Sequence, residues 1–228
     1  MIIDGFERLT LLDYPEHIAC IIFTRGCNLR CSYCQNSSLM LLKKTPGNVS
    51  EEEVLDYLQK RKNVLDGIVI SGGEPTVQKG LIDFIKKVKA IGLKVKLDTN
   101  GFNPKVLKEV LDQNLVDYVA MDIKHSFKHY ENIAKCKVNT KLLEESIKLL
   151  KNSGIDYEFR TTIIKNYHTI DDIKEIVKIV SGSKYYIQNF KMSDDVLDKD
   201  LIGFSETELK EIKRIFKGEK NVTMRDLW

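Results

Sequence analysis

The chain is predicted to be an α/β protein, a curved parallel sheet forming a partial (β/α)6 barrel. Three observations carry this. Short β-rich apolar runs alternate with helix-period segments along nearly the whole sequence. Six strand–helix units imply parallel strands with right-handed crossovers, yet 228 residues fall short of the roughly 250 of a full eightfold barrel. The residues with the most chemistry fall just after the strands, where parallel sheets place their ligand sites.

In order, the leader IIDGFERLTLLDYP (2–15) reads as a short edge hairpin or turn. It precedes a buried strand at 17–24 (HIACIIFT) that ends at a cysteine loop. Ser50 and Glu53 have capping-box spacing, and the helix behind them runs to about Arg61. A strand at 67–71 (GIVIS) follows, then a helix from about Gln78 with Leu81, Phe84, Ile85 and Val88 on one stripe. Strand 94–98 (KVKLD) leads to a helix opened by Asn103-Pro104, with Val106, Leu107, Val110 and Leu111 on its apolar face. Strand 117–122, helix 140–152, strand 156–163, helix 170–180 and strand 184–189 continue the alternation. Ser205 and Glu208 cap a last helix to about Lys217, and 220–225 adds a short strand. No linker, repeat or low-complexity stretch interrupts the series, so 1–228 reads as one domain.

Composition narrows the class. Hydrophobic residues at 43% and charged residues at 30% describe a soluble globular chain, and no apolar run approaches the roughly 20 residues of a membrane helix. With 36 basic and 33 acidic residues the signs nearly balance, which argues against a dedicated nucleic-acid binder. An odd count of five cysteines and no apolar signal segment fit a reducing cytoplasm.

Cys27, Cys31 and Cys34 stand as C-x3-C-x2-C within FTRGCNLRCSYCQN. Three thiolates can hold three irons of a [4Fe–4S] cube, leaving one iron open to a small molecule. The competing reading is structural zinc, which wants a fourth ligand. Cys20, Cys136 or a histidine would have to supply it, and none sits at a zinc-ribbon spacing. Cys20 reads as a core residue of the first parallel strand. Cys136 lies in the Lys/His-rich stretch 124–137, which reads as a solvated face and a candidate rim for a partner.

The other strand ends are as unusual. After 67–71 comes Ser71-Gly72-Gly73-Glu74-Pro75, where paired glycines permit close backbone approach and Glu74 can accept from an ammonium. After 94–98 comes Asp98-Thr99-Asn100-Gly101, with an Asx turn as the plain alternative. Asp122 and Lys124 share one side of an extended chain, as do Glu158 and Arg160. The last of these strands ends in Gln188-Asn189-Phe190.

The cysteine spacing, with Tyr33 just before the last cysteine, resembles the signature of the radical S-adenosylmethionine (radical SAM) family. Glu74 and its neighbours resemble that family's GGEP motif, which binds the methionine amino group. The resemblance implies a [4Fe–4S] cluster on Cys27, Cys31 and Cys34, and SAM chelated at its open iron. It further implies one-electron cleavage of SAM to a 5'-deoxyadenosyl radical. DTNG (98–101) and MDIK (121–124) are similar to the glycyl-radical-enzyme activases, of which the pyruvate formate-lyase activases are the familiar branch. There the matching Asp and Lys lie beside the SAM carboxylate, and the Asp positions help hold a monovalent cation. This implies SAM-site roles for Tyr33, Asn36, Gly72, Gly73, Glu74, Pro75, Asp98, Thr99, Asn100, Asp122, Lys124 and Arg160. Gln188 stands where the pyruvate formate-lyase branch has a histidine.

The opening GFERLTLLDYPEHIACIIFTRGCNLRCSYCQN is most similar to one class of activating protein for anaerobic ribonucleoside-triphosphate reductase. The implied partners are a glycyl-radical enzyme as protein substrate and a flavodoxin- or ferredoxin-like electron donor. No side chain is nominated as a general acid or base. Two other readings stand beside this one: a radical SAM enzyme acting on a small molecule, of the 7-carboxy-7-deazaguanine synthase type, and a non-enzymatic metal-binding protein.

Overall fold

The computed structural model describes residues 1–41 and 45–225. Eight strands form one sheet in sequence order: β1 (Ile3–Thr10), β2 (Ala19–Thr24), β3 (Gly67–Gly72), β4 (Lys94–Thr99), β5 (Tyr118–Asp122), β6 (Asp156–Ile163), β7 (Tyr185–Asn189) and β8 (Val222–Arg225). β2 to β8 run parallel, each beside the next, and β1 joins antiparallel to β2. The predicted partial barrel is therefore present. The leader supplies its antiparallel edge, and 222–225 supplies its last parallel strand.

Helices α1 (Glu51–Arg61), α2 (Leu81–Ile91), α3 (Pro104–Asp112), α4 (Tyr130–Ala134), α5 (Thr140–Lys151), α6 (Ile170–Ile179) and α7 (Glu206–Ile215) fill the crossovers. Their apolar stripes pack on one face of the sheet, where Leu58, Phe84, Val110, Ile147 and Ile176 meet Ile22, Ile70 and Leu97 in one continuous core. None of these helices is long and apolar enough to cross a membrane.

Three details differ from expectation, each for a local reason. α2 starts at Leu81, not Gln78, because Pro75–Val77 form a 3-10 turn and Gly80 takes a left-handed φ of 88° just before the helix. At α1 the capping box is only half made: the Ser50 side chain accepts from the Glu53 backbone, without the reciprocal bond. The complete boxes are Ser205/Glu208 on α7 and Thr169/Asp172 on α6. The stretch 124–137 is also not the solvated face expected of it. His125, Ser126, Tyr130, Ile133 and Ala134 are buried there: Tyr130 packs on Phe102 and accepts from Lys124 N, Ala134 O accepts from Arg30 N in the cysteine loop, and His125 bonds to the Tyr167 backbone.

The opposite face of the sheet carries the site. Strand alternation places Ile21, Val69, Lys96, Asp98, Tyr118, Asp122, Glu158, Arg160 and Gln188 on it. Near the N-terminal ends of the strands this face is apolar, closed by Tyr14 against Ala19, Ile21, Val69, Tyr118 and Ala120. Toward the C-terminal ends it becomes charged.

Candidate active site

All sixteen residues singled out in the sequence line one cavity of about 320 Å³, within the range of small-molecule sites. The loop after β2 brings Cys27, Cys31, Tyr33, Cys34 and Asn36, and the loop after β3 brings Gly72 to Pro75. The end of β4 adds Asp98, Thr99 and Asn100. Asp122 and Lys124 follow β5, Arg160 stands on β6 and Gln188 on β7.

The three cysteines are free thiols. Burial pushes Cys27 up to about 12 and Cys31 up to about 11, and raises Cys34 as well. Lys124 pulls all three back down, so one ammonium serves the whole thiol cluster. Cys27 Sγ accepts from the Leu29 backbone at 3.4 Å and from Asn100 Nδ2 at 3.8 Å. Thiols collected on one loop, near a lysine and backbone donors, form the donor set an iron–sulfur cluster takes, and Cys20 and Cys136 do not line the cavity. Cys20 is a core residue of β2, as read from the sequence.

Glu74, read from the sequence as an acceptor for an ammonium, has a carboxylate enclosed by the protein. It is 1% exposed. Its Oε1 accepts from Thr76 N at 3.1 Å, Thr76 Oγ1 at 2.5 Å and Thr99 Oγ1 at 2.7 Å, and Oε2 accepts from Asn100 N at 2.6 Å. The carboxylate thus stitches the loop after β3 to the end of β4. Burial raises its pKa, while those donors favour the anion. Gly72 beside it has a φ of 106°, a conformation suited to glycine.

A charged lattice lies deeper. Arg160 Nε donates to Asp122 Oδ1 at 2.9 Å, and its guanidinium lies 3.5 Å from Asp98 Oδ2. Lys124 Nζ is 3.5 Å from Asp122 Oδ2. Ser71 Oγ donates to Asp98 Oδ2 at 3.0 Å. Burial would raise both aspartates, and Arg160 in concert with Lys96 and Lys124 reverses that and holds them below the usual carboxylate range.

Sequence reasoning passed over Lys96 and Arg225, and named Ser71 only as the start of the glycine turn. Lys96 is 2% exposed, and its Nζ donates to Asp98 Oδ1 at 2.5 Å. Its signal was the spacing from Asp98, since residues two apart on a strand share a face. Arg225 from β8 pairs with buried Glu158 at 3.2 Å, where Tyr118 also donates at 2.7 Å. The cavity reaches past these residues to Leu12, Asp13 and Pro15 in the connection between β1 and β2, at the N-terminal end of the parallel strands.

A profile described as the Radical SAM superfamily matches residues 21–180. The chain is 37% identical over 228 residues to a protein of Methanocaldococcus jannaschii provisionally named a glycyl-radical enzyme activating enzyme, covering 95% of this chain and 92% of that one. It is 30% identical over 194 residues to a pyruvate formate-lyase-activating enzyme of Clostridium pasteurianum, covering 82% and 77% respectively. SuiB of Streptococcus suis, solved with S-adenosylmethionine bound, shares the fold at a TM-score of 0.70 and 16% identity, over 91% of this chain and 50% of that longer one. A profile match over most of the chain, together with relatives this similar over 92% and 77% of their lengths, settles the family: the chain belongs to the radical SAM superfamily, in its group of glycyl-radical-enzyme activating enzymes.

Proposed function

We propose that this chain activates an anaerobic ribonucleoside-triphosphate reductase by generating a glycyl radical on it. The observation that carries the narrower choice is the LLDYP segment, which together with Gln35-Asn36 after the last cysteine drives the resemblance to that activating class. It is no remote ornament, since Leu12, Asp13 and Pro15 of that segment line the same cavity as the cysteines. Residues on which the narrower resemblance rests therefore border the cavity at the end opposite the cysteine loop.

Cys27, Cys31 and Cys34 would hold a [4Fe–4S] cluster that binds SAM, and the two together would supply one-electron reductive cleavage of SAM and abstraction of a hydrogen atom from a glycine Cα. The side chains bind, orient and exclude water. Gly72 to Pro75 form the turn for the methionine ammonium, with Glu74 holding that turn in place. Asp98, Thr99, Asp122, Lys124 and Arg160 surround the methionine carboxylate. Tyr33, Asn36, Asn100 and Gln188 line the same cavity and would complete the walls of the SAM site. The electron comes from a flavodoxin- or ferredoxin-like donor, and the compartment is the cytoplasm.

The test is anaerobic iron–sulfur reconstitution, then dithionite, SAM and a candidate reductase, read by electron paramagnetic resonance. A glycyl-radical doublet on the reductase is the expected result. Formation of 5'-deoxyadenosine without that doublet would reject this partner and direct the search to other substrates. Cys31→Ala should abolish both the cluster and SAM cleavage, and cleavage that survived it would overturn the cluster assignment.

A further inference from the structure

The lattice around Asp98 and Asp122 holds more positive charge than its carboxylates require. All four carboxylate oxygens already have donors. Asp98 Oδ1 takes Lys96 at 2.5 Å, and Asp98 Oδ2 takes Ser71 at 3.0 Å with Arg160 at 3.5 Å. Asp122 Oδ1 takes Arg160 at 2.9 Å, and Asp122 Oδ2 takes Lys124 at 3.5 Å. Three cations, Lys96, Arg160 and Lys124, therefore face two carboxylates. Of the other acids, Glu158 on this face pairs with Arg225, Glu74 is held by four uncharged donors on its own loop and the end of β4, and Asp156 and Asp13 lie toward the N-terminal ends of the strands.

Without Lys96 the set would be neutral, two against two. An amino-acid carboxylate could then be held there only at the expense of an existing pair, or with an added monovalent cation. Lys96 supplies one positive charge from the protein itself. A buried ammonium is costly to desolvate, and in a sheet interior it persists where a carboxylate pairs it. Such a residue, 2% exposed and beside a ligand cavity, needs a reason to be there.

We propose that the Lys96 ammonium stands in place of a monovalent cation at this site, so that the chain binds SAM without potassium or sodium. The inference rests on the reading of the cavity as a SAM site. Lys96 acts through Asp98 and is a positioning residue, not a catalytic one. The donor set agrees: an added cation would find no carboxylate oxygen of Asp98 or Asp122 without a bound donor. Replacing Lys96 by methionine keeps much of the side chain's length and removes the charge, opening Asp98 Oδ1 to a free ion.

The experiment uses reconstituted holoenzyme in potassium chloride and in tetramethylammonium chloride at equal ionic strength. SAM affinity is measured by calorimetry, and thermal unfolding without SAM is recorded in the same two salts. Wild type should bind SAM equally in both, within twofold, and melt at the same temperature. Lys96→Met should bind about tenfold more weakly in tetramethylammonium, the scale of a lost charge-assisted hydrogen bond, and recover most of that in potassium. Its melting temperature should rise with potassium in a saturable way.

Wild-type SAM affinity that climbs severalfold with potassium would overturn the proposal, whether or not the variant folds. So would a loss in Lys96→Met that potassium does not restore, since that marks a purely structural lysine. The melting experiment needs no SAM. If wild type bound none, the SAM reading would fall by itself, while a potassium response confined to Lys96→Met would still support the ammonium as a cation substitute.

Discussion

Arg160 stands directly across the β5–β6 register from Asp122 and donates its Nε to Oδ1 at 2.9 Å, while its terminal nitrogen lies 3.5 Å from Asp98. One guanidinium thus ties β6 to the carboxylates of two neighbouring strands. Arg160→Met would leave two partly buried aspartates short of the one cation they share. The expected loss is about 3 kcal/mol in urea unfolding, together with loss of SAM binding. Arg160→Lys should recover little of either, because a single ammonium cannot span both partners as a planar fork does. A methionine variant as stable as wild type would show that the lattice is not held through Arg160.

Glu74 joins two loops through four donors, and this gives a sharp expectation for its amide. In Glu74→Gln one carboxylate oxygen becomes an NH2 group facing a donor, either Asn100 N–H or the Thr76 and Thr99 cluster. A donor then meets a donor inside the protein, which should cost about 2 kcal/mol of stability. The same change should lower iron content after reconstitution, because Asn100 also donates to Cys27 Sγ. Normal stability with lowered SAM affinity would instead mean that Glu74 acts on the ligand and not on the loops.

The alternation of strands and helices, the edge role of the leader and every cavity residue named from motifs could be read from the chain, because each depends on local period or on short spacing. What escaped depended on partners distant in sequence. Lys96 in KVKLD looks like any strand lysine until β5 and β6 are known to bury its face. The 124–137 stretch looks solvated by composition, yet His125 bonds to the Tyr167 backbone and His168 to the Lys124 backbone. Both contacts reach across to the connection after β6. The start of α2 was misplaced because nothing in the apolar stripe reveals that Gly80 adopts a left-handed φ. Local rules set the elements, and the charged interior emerges only once the strands are side by side.

The histidines make stability depend on pH. His168 is 3% exposed. Its Nδ1 accepts from Ile164 N at 3.0 Å and its Nε2 donates to Lys124 O at 3.0 Å. His125 is wired the same way, accepting from Ser126 N at 2.8 Å, and the two rings stack at 4.6 Å. Both are neutral in this arrangement, and burial holds His125 below its ordinary value and takes His168 down to about 4. A depressed histidine contributes stability that is complete above its unfolded value near 6.5 and is lost as pH falls toward 4. For His168 that loss approaches about 3 kcal/mol at the acid end. Urea unfolding of the cluster-free chain at pH 7.5, 6, 5 and 4.5 should show this decline, with a flatter profile in His168→Gln. Because His168 anchors the Lys124 backbone, SAM affinity should weaken over the same range. A flat profile in wild type would refute the neutral wiring.

Gly73 offers the closest test of how the cysteine loop is seated. Gly73 N donates to Thr24 O at 2.8 Å and Glu74 N donates to Gly26 O at 2.8 Å, so the glycine turn lies flat against the backbone that enters Cys27. A Cβ added at Gly73 would stand 2.2 Å from the Gly26 carbonyl oxygen, a clash with backbone that no rotamer relieves. The loop must move, and the first residue to move with it is Cys27, one of the three proposed cluster ligands. Gly73→Ala should therefore cost about 1–3 kcal/mol as an overpacked contact and reduce bound iron and SAM affinity together. Gly218→Ala, where an added Cβ meets nothing within 4 Å, is the matched control and should change neither. If Gly73→Ala kept a full complement of iron while losing only SAM affinity, the turn would be reading the ligand alone, and its contact with Gly26 would not be what seats the cysteines.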